Sequence, residues 1–449
     1  MAVKSYSVLI NNKINEFNKV INVDPDKSIS IRAFLIGSIS QGVSKISDAL
    51  LSEDVFSTIN CLRKLNCKII KKSKNEYEVF GKGLGSYYAK KNTLLNLGNS
   101  GTGLRLISSI ISTTPDLEVN LTGDSSLKKR NMSKLISLLS EFGAEIFPKN
   151  KINLPFKLRS SNFPVAIKYV AGNSAQLKSA AILGALNSYG TSTVHESFKT
   201  RDHTENLLTK NSKNISFKDK KNVIKICGKQ PLNSFNIKVP SDPSSAAFFA
   251  AICILNNKSN LRIKNVCINP KRLGFYNILK KHGAKIKFKN VKRKNNEVVG
   301  DIIVKNSNLK PLKTSSKYYP STTDEYVILS VCAAMTPGVS VFNGIGDLSN
   351  KESSRAQEMK NILNQVGIKC KVTKDVMKVY GKRKILNERK KIIQVKKLND
   401  HRICMAVICL SLVTGIKCNI KNFETVETSS PSFLKIIKSV GGKFEIKKN

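Results

Sequence analysis

Cationic and carboxylate side chains recur in this sequence where apolar, helix-like runs begin. Lys27 and Ser28 open one such run, and Arg32 lies four residues beyond Ser28, on the same helical face. A second run opens on Gly98, Asn99, Ser100, Gly101, Thr102 and Gly103, with Arg105 on the next turn. The first turn of a helix offers unpaired N–H groups and the positive end of the dipole, so it takes anions. Glycine there lets a phosphate or carboxylate approach the backbone closely. Taken alone, the glycine stretch reads equally as a tight turn, and it is neither a P-loop nor a dinucleotide fingerprint. Further cations are Arg130, Arg201, Lys351, Arg355 and Arg402. Any one of them alone reads as a solvated surface charge; their joint placement at the ends of recurring elements favours anion capture. Two carboxylates stand in this basic setting: Asp324, beside Glu325, and Glu352, between Lys351 and Arg355. They suit proton transfer to and from a bound substrate, although each alone reads as a helix cap or salt-bridge partner. The set points to a soluble, cofactor-free enzyme that grips small phosphorylated and carboxylated substrates.

The elements that must position these residues form an internal repeat. A polar cluster followed by an apolar run starts at Asp26, Gly98, Gly172, Asp242, Asp324 and Asp400, at intervals of 72, 74, 70, 82 and 76 residues. About forty residues after each start, a second helical stretch ends in Gly143, Gly283, Gly367 or Gly441 and a strand-like segment follows, with Asn66 in the same slot of the first repeat. A glycine there predicts a left-handed helix cap. The third repeat is less clear, near 211–217. Each unit reads as strand, helix, strand, helix, strand, with room for one more strand. The runs AAFFAAIC and ICMAVICL have little polar face, which puts helices inside and sheets outside.

Composition narrows the class. The 449 residues predict two to four domains, and 41% hydrophobic residues supply substantial cores. The longest apolar runs, 246–255 and 403–413, are too short to span a membrane and read as buried helices. The opening MAVKSYSVLINNK lacks the features of a signal peptide, so the cytoplasm is the expected location. Ten scattered cysteines without a CxxC pair read as reduced and buried, and four histidines form no ligand-spaced cluster. The formal charge of +45 reads as compositional, because the lysines are dispersed among asparagines and isoleucines, though its field also draws anionic substrates. No nucleic-acid partner, no membrane and a monomer are expected.

The sequence resembles the 5-enolpyruvylshikimate-3-phosphate synthase family over essentially its whole length. The resemblance is carried by DKSISIR (26–32), LGNSGTGLRL (97–106), LTGDSSLKKR (121–130), NSAQLKSA (173–180), TRDHTE (200–205), VPSDPSSAAF (239–248), TDEYVIL (323–329), NKESSR (350–355) and DHRICMA (400–406). It implies a two-domain inverted α/β barrel of six repeated units, three per domain. One domain would hold 23–238 and the other 1–22 with 239–449, and the active site would lie in the cleft between them. The implied reaction moves the enolpyruvyl group of phosphoenolpyruvate onto the 5-hydroxyl of shikimate 3-phosphate and releases phosphate, with no cofactor and no metal.

By the same resemblance, Lys27, Ser28, Arg32, Ser174, Ala175, Gln176, Arg201, Asp324 and Lys351 bind shikimate 3-phosphate. Lys27, Gly101, Arg130, Gln176, Arg355 and Arg402 bind phosphoenolpyruvate. Asp324, Glu352 and Lys27 are the implied catalytic groups, with Asp324 as base and Glu352 as the acid that protonates the methylene carbon. The sequence departs from the family pattern in three places. Ser354 stands where an acid is usual, Asn131 where proline is frequent, and ETSSPSF (427–433) offers no lysine near the C-terminal motif. Rival readings are a related transferase acting on UDP-N-acetylglucosamine, an RNA 3′-phosphate cyclase, and a nucleic-acid-binding protein on an inactive enzyme scaffold.

Overall fold

The computed structural model describes residues 5–211, 215–218, 222–385, 392–395 and 398–448. The stretch at 211–217, where the third repeat is least clear, lies partly outside them. The chain divides into two compact units. An inserted unit comprises Pro25–Val239 with Lys294–Glu297, and a flanking unit comprises the described residues up to Asp24, Pro240–Arg293 and those from Val298 onward.

Polar clusters at the repeat starts fold as helix caps. Asp26 Oδ1 accepts from the Ile29 amide at 2.8 Å, Ser100 Oγ from Gly103 at 3.0 Å, and Ser174 Oγ from Leu177 at 3.2 Å. Asp242 Oδ1 accepts from Ser244 at 2.7 Å and Asp400 Oδ1 from Arg402 at 3.0 Å. Each such cap contributes about 1 kcal/mol and fixes where the helix begins. The fifth start differs: Glu325 precedes the Tyr326–Ala334 helix without a side-chain cap. At the second marker, Asn66, Gly143, Gly283, Gly367 and Gly441 all have positive φ just past a helix end, as the left-handed cap requires.

The apolar runs become the interior. In the flanking unit, Pro243–Ile254, Tyr326–Ala334 and His401–Val413 are buried at every residue. Such all-round burial calls for helices packed inside, and those three pack on one another. Phe248 and Phe249 meet Phe433 at centroid distances of 6.3 and 5.3 Å. Burying each such side chain stabilises by about 1.5–3 kcal/mol. In the inserted unit, Lys27–Ser38, Gly101–Ser112 and Ala175–Ala185 take the same place.

Among the described residues there are six four-stranded sheets with one topology. An edge strand runs parallel to its neighbour, and the other two strands are antiparallel; Thr93–Asn96, Glu118–Thr122, Phe156–Arg159 and Glu145–Phe147 are an example. Burial alternates along Glu118–Thr122, so one face packs on the helices and the other is turned outward. Each unit is thus an inverted α/β barrel, as expected. Strand exchange between distant repeats was not foreseen. Asn236–Lys238 completes the first repeat's sheet. Tyr6–Ile10 lies between Cys418–Ile420 and Glu445–Lys448 in the last, and Asn18–Ile21 completes the fourth. No helix among the described residues is long and apolar enough to cross a membrane. Nine of the ten free cysteines are buried, and Cys227 alone is exposed.

Candidate active site

In the inserted unit, three helix starts are tied together by the residues that the sequence singled out. Arg32 is buried on the Lys27–Ser38 helix. Its guanidinium donates to the Ser28 carbonyl at 3.0 Å, to Thr204 Oγ1 at 2.7 Å and to Ser179 Oγ at 3.0 Å. These contacts fix the first repeat against the third. Gln176 Nε2 donates to Thr102 Oγ1 at 2.9 Å, which fixes the third against the second. Ser174 caps the Ala175–Ala185 helix, so Ala175 and Gln176 occupy its first turn. Lys27, the first residue of its helix, pairs with Asp54 Oδ2 at 2.8 Å.

The glycine-rich stretch is a cradle for guanidinium groups as well as a turn. Arg130 donates to Asn99 Oδ1 at 2.5 Å, and Asn99 in turn donates to Asp124 Oδ2 at 2.8 Å. Arg105 donates to the Gly101 carbonyl at 2.9 Å. A methyl group on Gly101 would lie 2.8 Å from an Arg130 nitrogen and 3.0 Å from one of Arg105. The absence of a side chain there is what admits both arginines to the helix start. Arg201 lies in the loop before the His203–Asn211 helix, where Thr200 donates to Glu196 Oε1 through its amide at 2.9 Å and its hydroxyl at 2.7 Å.

In the flanking unit the candidate acid–base groups gather around one buried arginine. Arg355 Nε donates to Asp400 Oδ2 at 2.9 Å, and a terminal nitrogen donates to Glu352 Oε2 at 2.5 Å. Asp324 Oδ1 lies 3.5 Å from both Arg355 and Arg402. Burial opposes charge on Arg355, but Asp400, Glu352 and Asp324 outweigh it and raise its pKa further. Asp324 and Glu352 keep 19% and 17% of their side chains exposed, whereas Asp400 is fully buried, so only the first two are open to a ligand. Lys351 pairs with Asp347 Oδ2 at 2.8 Å, and Tyr319 donates to the same oxygen at 3.0 Å. Burial would raise the Asp347 pKa; Lys351 and the hydrogen bonds around it hold it below the usual range instead.

Sequence reasoning missed the groups that hold these residues. Asp54 reads as an ordinary acidic residue in a helix's first turn. Asp124 and Asp400 cap helices, and they also anchor Arg130 through Asn99 and Arg355 directly. Glu325 is buried beside Asp324 and bonds the Ser244 hydroxyl, which also receives Arg272 at 3.0 Å. Ser354 precedes the Arg355–Gln365 helix without forming a side-chain cap; the neighbouring Ser353 donates to Asp400 Oδ2 at 2.9 Å. In ETSSPSF, the Ser430 hydroxyl and the Ser432 amide donate to Asp24 Oδ2 at 2.7 and 3.1 Å.

Known proteins resemble this chain over nearly its whole length. The family model described as EPSP synthase (3-phosphoshikimate 1-carboxyvinyltransferase) matches residues 11–437. The 3-phosphoshikimate 1-carboxyvinyltransferase of Caldicellulosiruptor bescii is 37% identical over 426 residues, covering 94% of this chain and 96% of its own. That of Petrotoga mobilis is also 37% identical, over 94% of this chain and 97% of its own. The solved EPSP synthase of Acinetobacter baumannii has a TM-score of 0.85 at 31% identity, covering 98% of this chain and all of that one. The enolpyruvyl transferase NikO of Streptomyces tendae, at 12% identity and a TM-score of 0.76, shares the fold. With a family match along nearly the whole chain and relatives above one-third identity, the chain belongs to the EPSP synthase family.

Proposed function

We propose that this protein transfers the enolpyruvyl group of phosphoenolpyruvate to the 5-hydroxyl of shikimate 3-phosphate, with release of phosphate. Beyond family membership, one observation supports the acid–base assignment. Two partly exposed carboxylates, Asp324 and Glu352, share the buried Arg355, which the fully buried Asp400 holds from behind. On this reading the inserted unit supplies anion holders. Lys27, Ser28, Arg32, Ser174, Ala175, Gln176 and Arg201 take shikimate 3-phosphate, and Lys27, Gly101, Arg130 and Gln176 take phosphoenolpyruvate. Arg355 and Arg402 bind phosphoenolpyruvate from the flanking unit, and Lys351 a ring hydroxyl of the other substrate.

Asp324, whose Oδ1 lies 3.5 Å from both Arg355 and Arg402, takes the proton of the attacking hydroxyl. Glu352 delivers a proton to the methylene carbon of phosphoenolpyruvate. The alkoxide oxygen bonds to the adjacent carbon and gives a tetrahedral intermediate. Loss of phosphate and return of a methyl proton to a base regenerate the double bond. Fixed cations around the leaving phosphate stabilise the charge it develops. The protein acts as a cytoplasmic monomer without a cofactor. The test is phosphate release from the two substrates together. Asp324→Ala and Glu352→Ala should each lower turnover by roughly 10²–10⁴-fold. A wild-type protein that releases no phosphate at saturating substrate would refute the assignment.

A further inference from the structure

The inserted unit contains a buried ionic cluster to which the reaction above assigns no task. Lys178 lies on the Ala175–Ala185 helix, one turn beyond Ser174, and its side chain is fully buried. Its ammonium is 2.9 Å from Glu196 Oε1 and 2.5 Å from Glu205 Oε1. Both carboxylates are also out of water, at 7% and 4% exposure. Burial alone would discharge the lysine, but Glu205 and Glu196 raise its pKa. Apolar side chains in place of all three residues would fill such a core position with little or no loss of stability, whereas removing one partner alone strands the others. The cluster therefore calls for a role beyond packing.

Its connections lead to the two arginines assigned to shikimate 3-phosphate. Glu196 Oε1 also accepts the amide and hydroxyl of Thr200, the residue before Arg201, and so closes the loop that carries Arg201. Glu205 follows Thr204, whose hydroxyl accepts from Arg32 Nε at 2.7 Å and donates to Ser179 Oγ at 2.8 Å. Ser179 follows Lys178 and receives a second Arg32 nitrogen at 3.0 Å. Two adjacent rungs thus join the Ala175–Ala185 and His203–Asn211 helices. One is ionic, Lys178 to Glu205; the other is hydroxylic, Ser179 to Thr204, and forms the shelf on which Arg32 rests.

We propose that Lys178, Glu196 and Glu205 act as positioning residues that preset Arg32 and Arg201 for shikimate 3-phosphate and leave the phosphoenolpyruvate contacts unaffected. The proposal rests on the functional reading above. It is tested with Lys178→Met, with Thr200→Val, which keeps all three charges, and with the apolar triple variant Lys178→Met/Glu196→Leu/Glu205→Met. The full-length enzyme is assayed for kcat, for KM of each substrate, for calorimetric binding of shikimate 3-phosphate alone, and for thermal midpoint.

A displacement of the arginines by an ångström predicts a rise of roughly tenfold to a hundredfold in KM and Kd for shikimate 3-phosphate in Lys178→Met. KM for phosphoenolpyruvate should stay within about threefold of wild type on the same argument. The triple variant should regain the thermal midpoint but not the affinity. Thr200→Val should show a smaller loss of the same kind. Should Lys178→Met fail to fold, the triple variant and Thr200→Val decide the matter. Recovery of affinity along with stability in the triple variant overturns the proposal, as does an equal rise in both KM values or unchanged affinity in Thr200→Val. If wild type itself neither binds shikimate 3-phosphate nor turns over, the functional reading fails; if only the variants behave as wild type, this inference alone fails.

Discussion

Adding one methyl group at Gly101 separates anion binding from folding. The new carbon would sit 2.8 Å from an Arg130 nitrogen and 3.0 Å from one of Arg105. Ordinary carbon–nitrogen contact needs about 3.4 Å or more, so the Arg130 guanidinium must retreat by about 0.6 Å. Its other terminal nitrogen is held 2.5 Å from Asn99 Oδ1, and that bond must stretch or turn. A hydrogen bond involving a charged group contributes about 1.5–3 kcal/mol, which converts to roughly a 10- to 150-fold effect. Gly101→Ala should therefore raise KM for phosphoenolpyruvate roughly tenfold to a hundredfold and leave KM for shikimate 3-phosphate nearly unchanged. Gly101 is the first residue of its helix and has no positive φ, so alanine fits the backbone and should not lower the melting temperature. Steady-state kinetics with each substrate varied in turn, together with a thermal melt, provide the readout. A phosphoenolpyruvate KM within twofold of wild type would refute the cradle argument. A large drop in melting temperature would show that the site is folding-critical instead.

Other perturbations test the flanking unit and the surface. Asp400→Asn keeps the shape but removes the buried counter-charge of Arg355, and should cost about 3–5 kcal/mol in urea unfolding and depress kcat; equal stability would mean that Glu352 and Asp324 suffice. Ser354→Asp places a strong cap before the Arg355–Gln365 helix, which lacks a side-chain cap, and should raise the melting temperature by about 2–4 °C; a fall would point to repulsion by Asp400. A thiol reagent should modify one cysteine, Cys227, in the native protein and all ten after denaturation; early reaction of a second would contradict the buried assignment.

The parts of the molecule governed by local rules were legible in the sequence. The polar clusters beginning at Asp26, Gly98, Gly172, Asp242 and Asp400 signalled helix starts because capping, here by Asp26, Ser100, Ser174, Asp242 and Asp400, is a contact over two or three residues; the cluster at Asp324 signalled a start that has no side-chain cap. Asn66 and the glycines at 143, 283, 367 and 441 signalled helix ends because a left-handed conformation restricts residue type. Apolar runs without a polar face signalled interior helices. What holds the charged groups was not legible, because those partners are distant along the chain. Arg32 meets Ser179 and Thr204, and Arg355 meets Asp400, across separations that no spacing rule covers. Borrowed strands were hidden for the same reason: Tyr6–Ile10 has the alternation of any half-buried strand, and nothing in it names Cys418–Ile420 as its neighbour. Roles for Lys27, Asp324 and Glu352 came from the resemblance, since lone charges carry no such information.

That exchange of strands also sets a timetable for synthesis. The inserted unit has every strand it needs once Asn236–Lys238 has left the ribosome. Tyr6–Ile10, made far earlier, must wait for partners roughly four hundred residues downstream, about 20–80 s at ordinary elongation rates. During that interval Val8 and Ile10, fully buried in the finished fold, have no sheet to join. Such a segment is a hazard for aggregation unless charged or polar neighbours guard it, and Asn11, Asn12 and Lys13 follow it at once. Lysines dispersed along the growing chain give it an excess of positive charge, so that copies of it repel one another throughout the wait. The excess of lysine that does little for the chemistry thus has a use on the nascent polypeptide, before there is an enzyme at all.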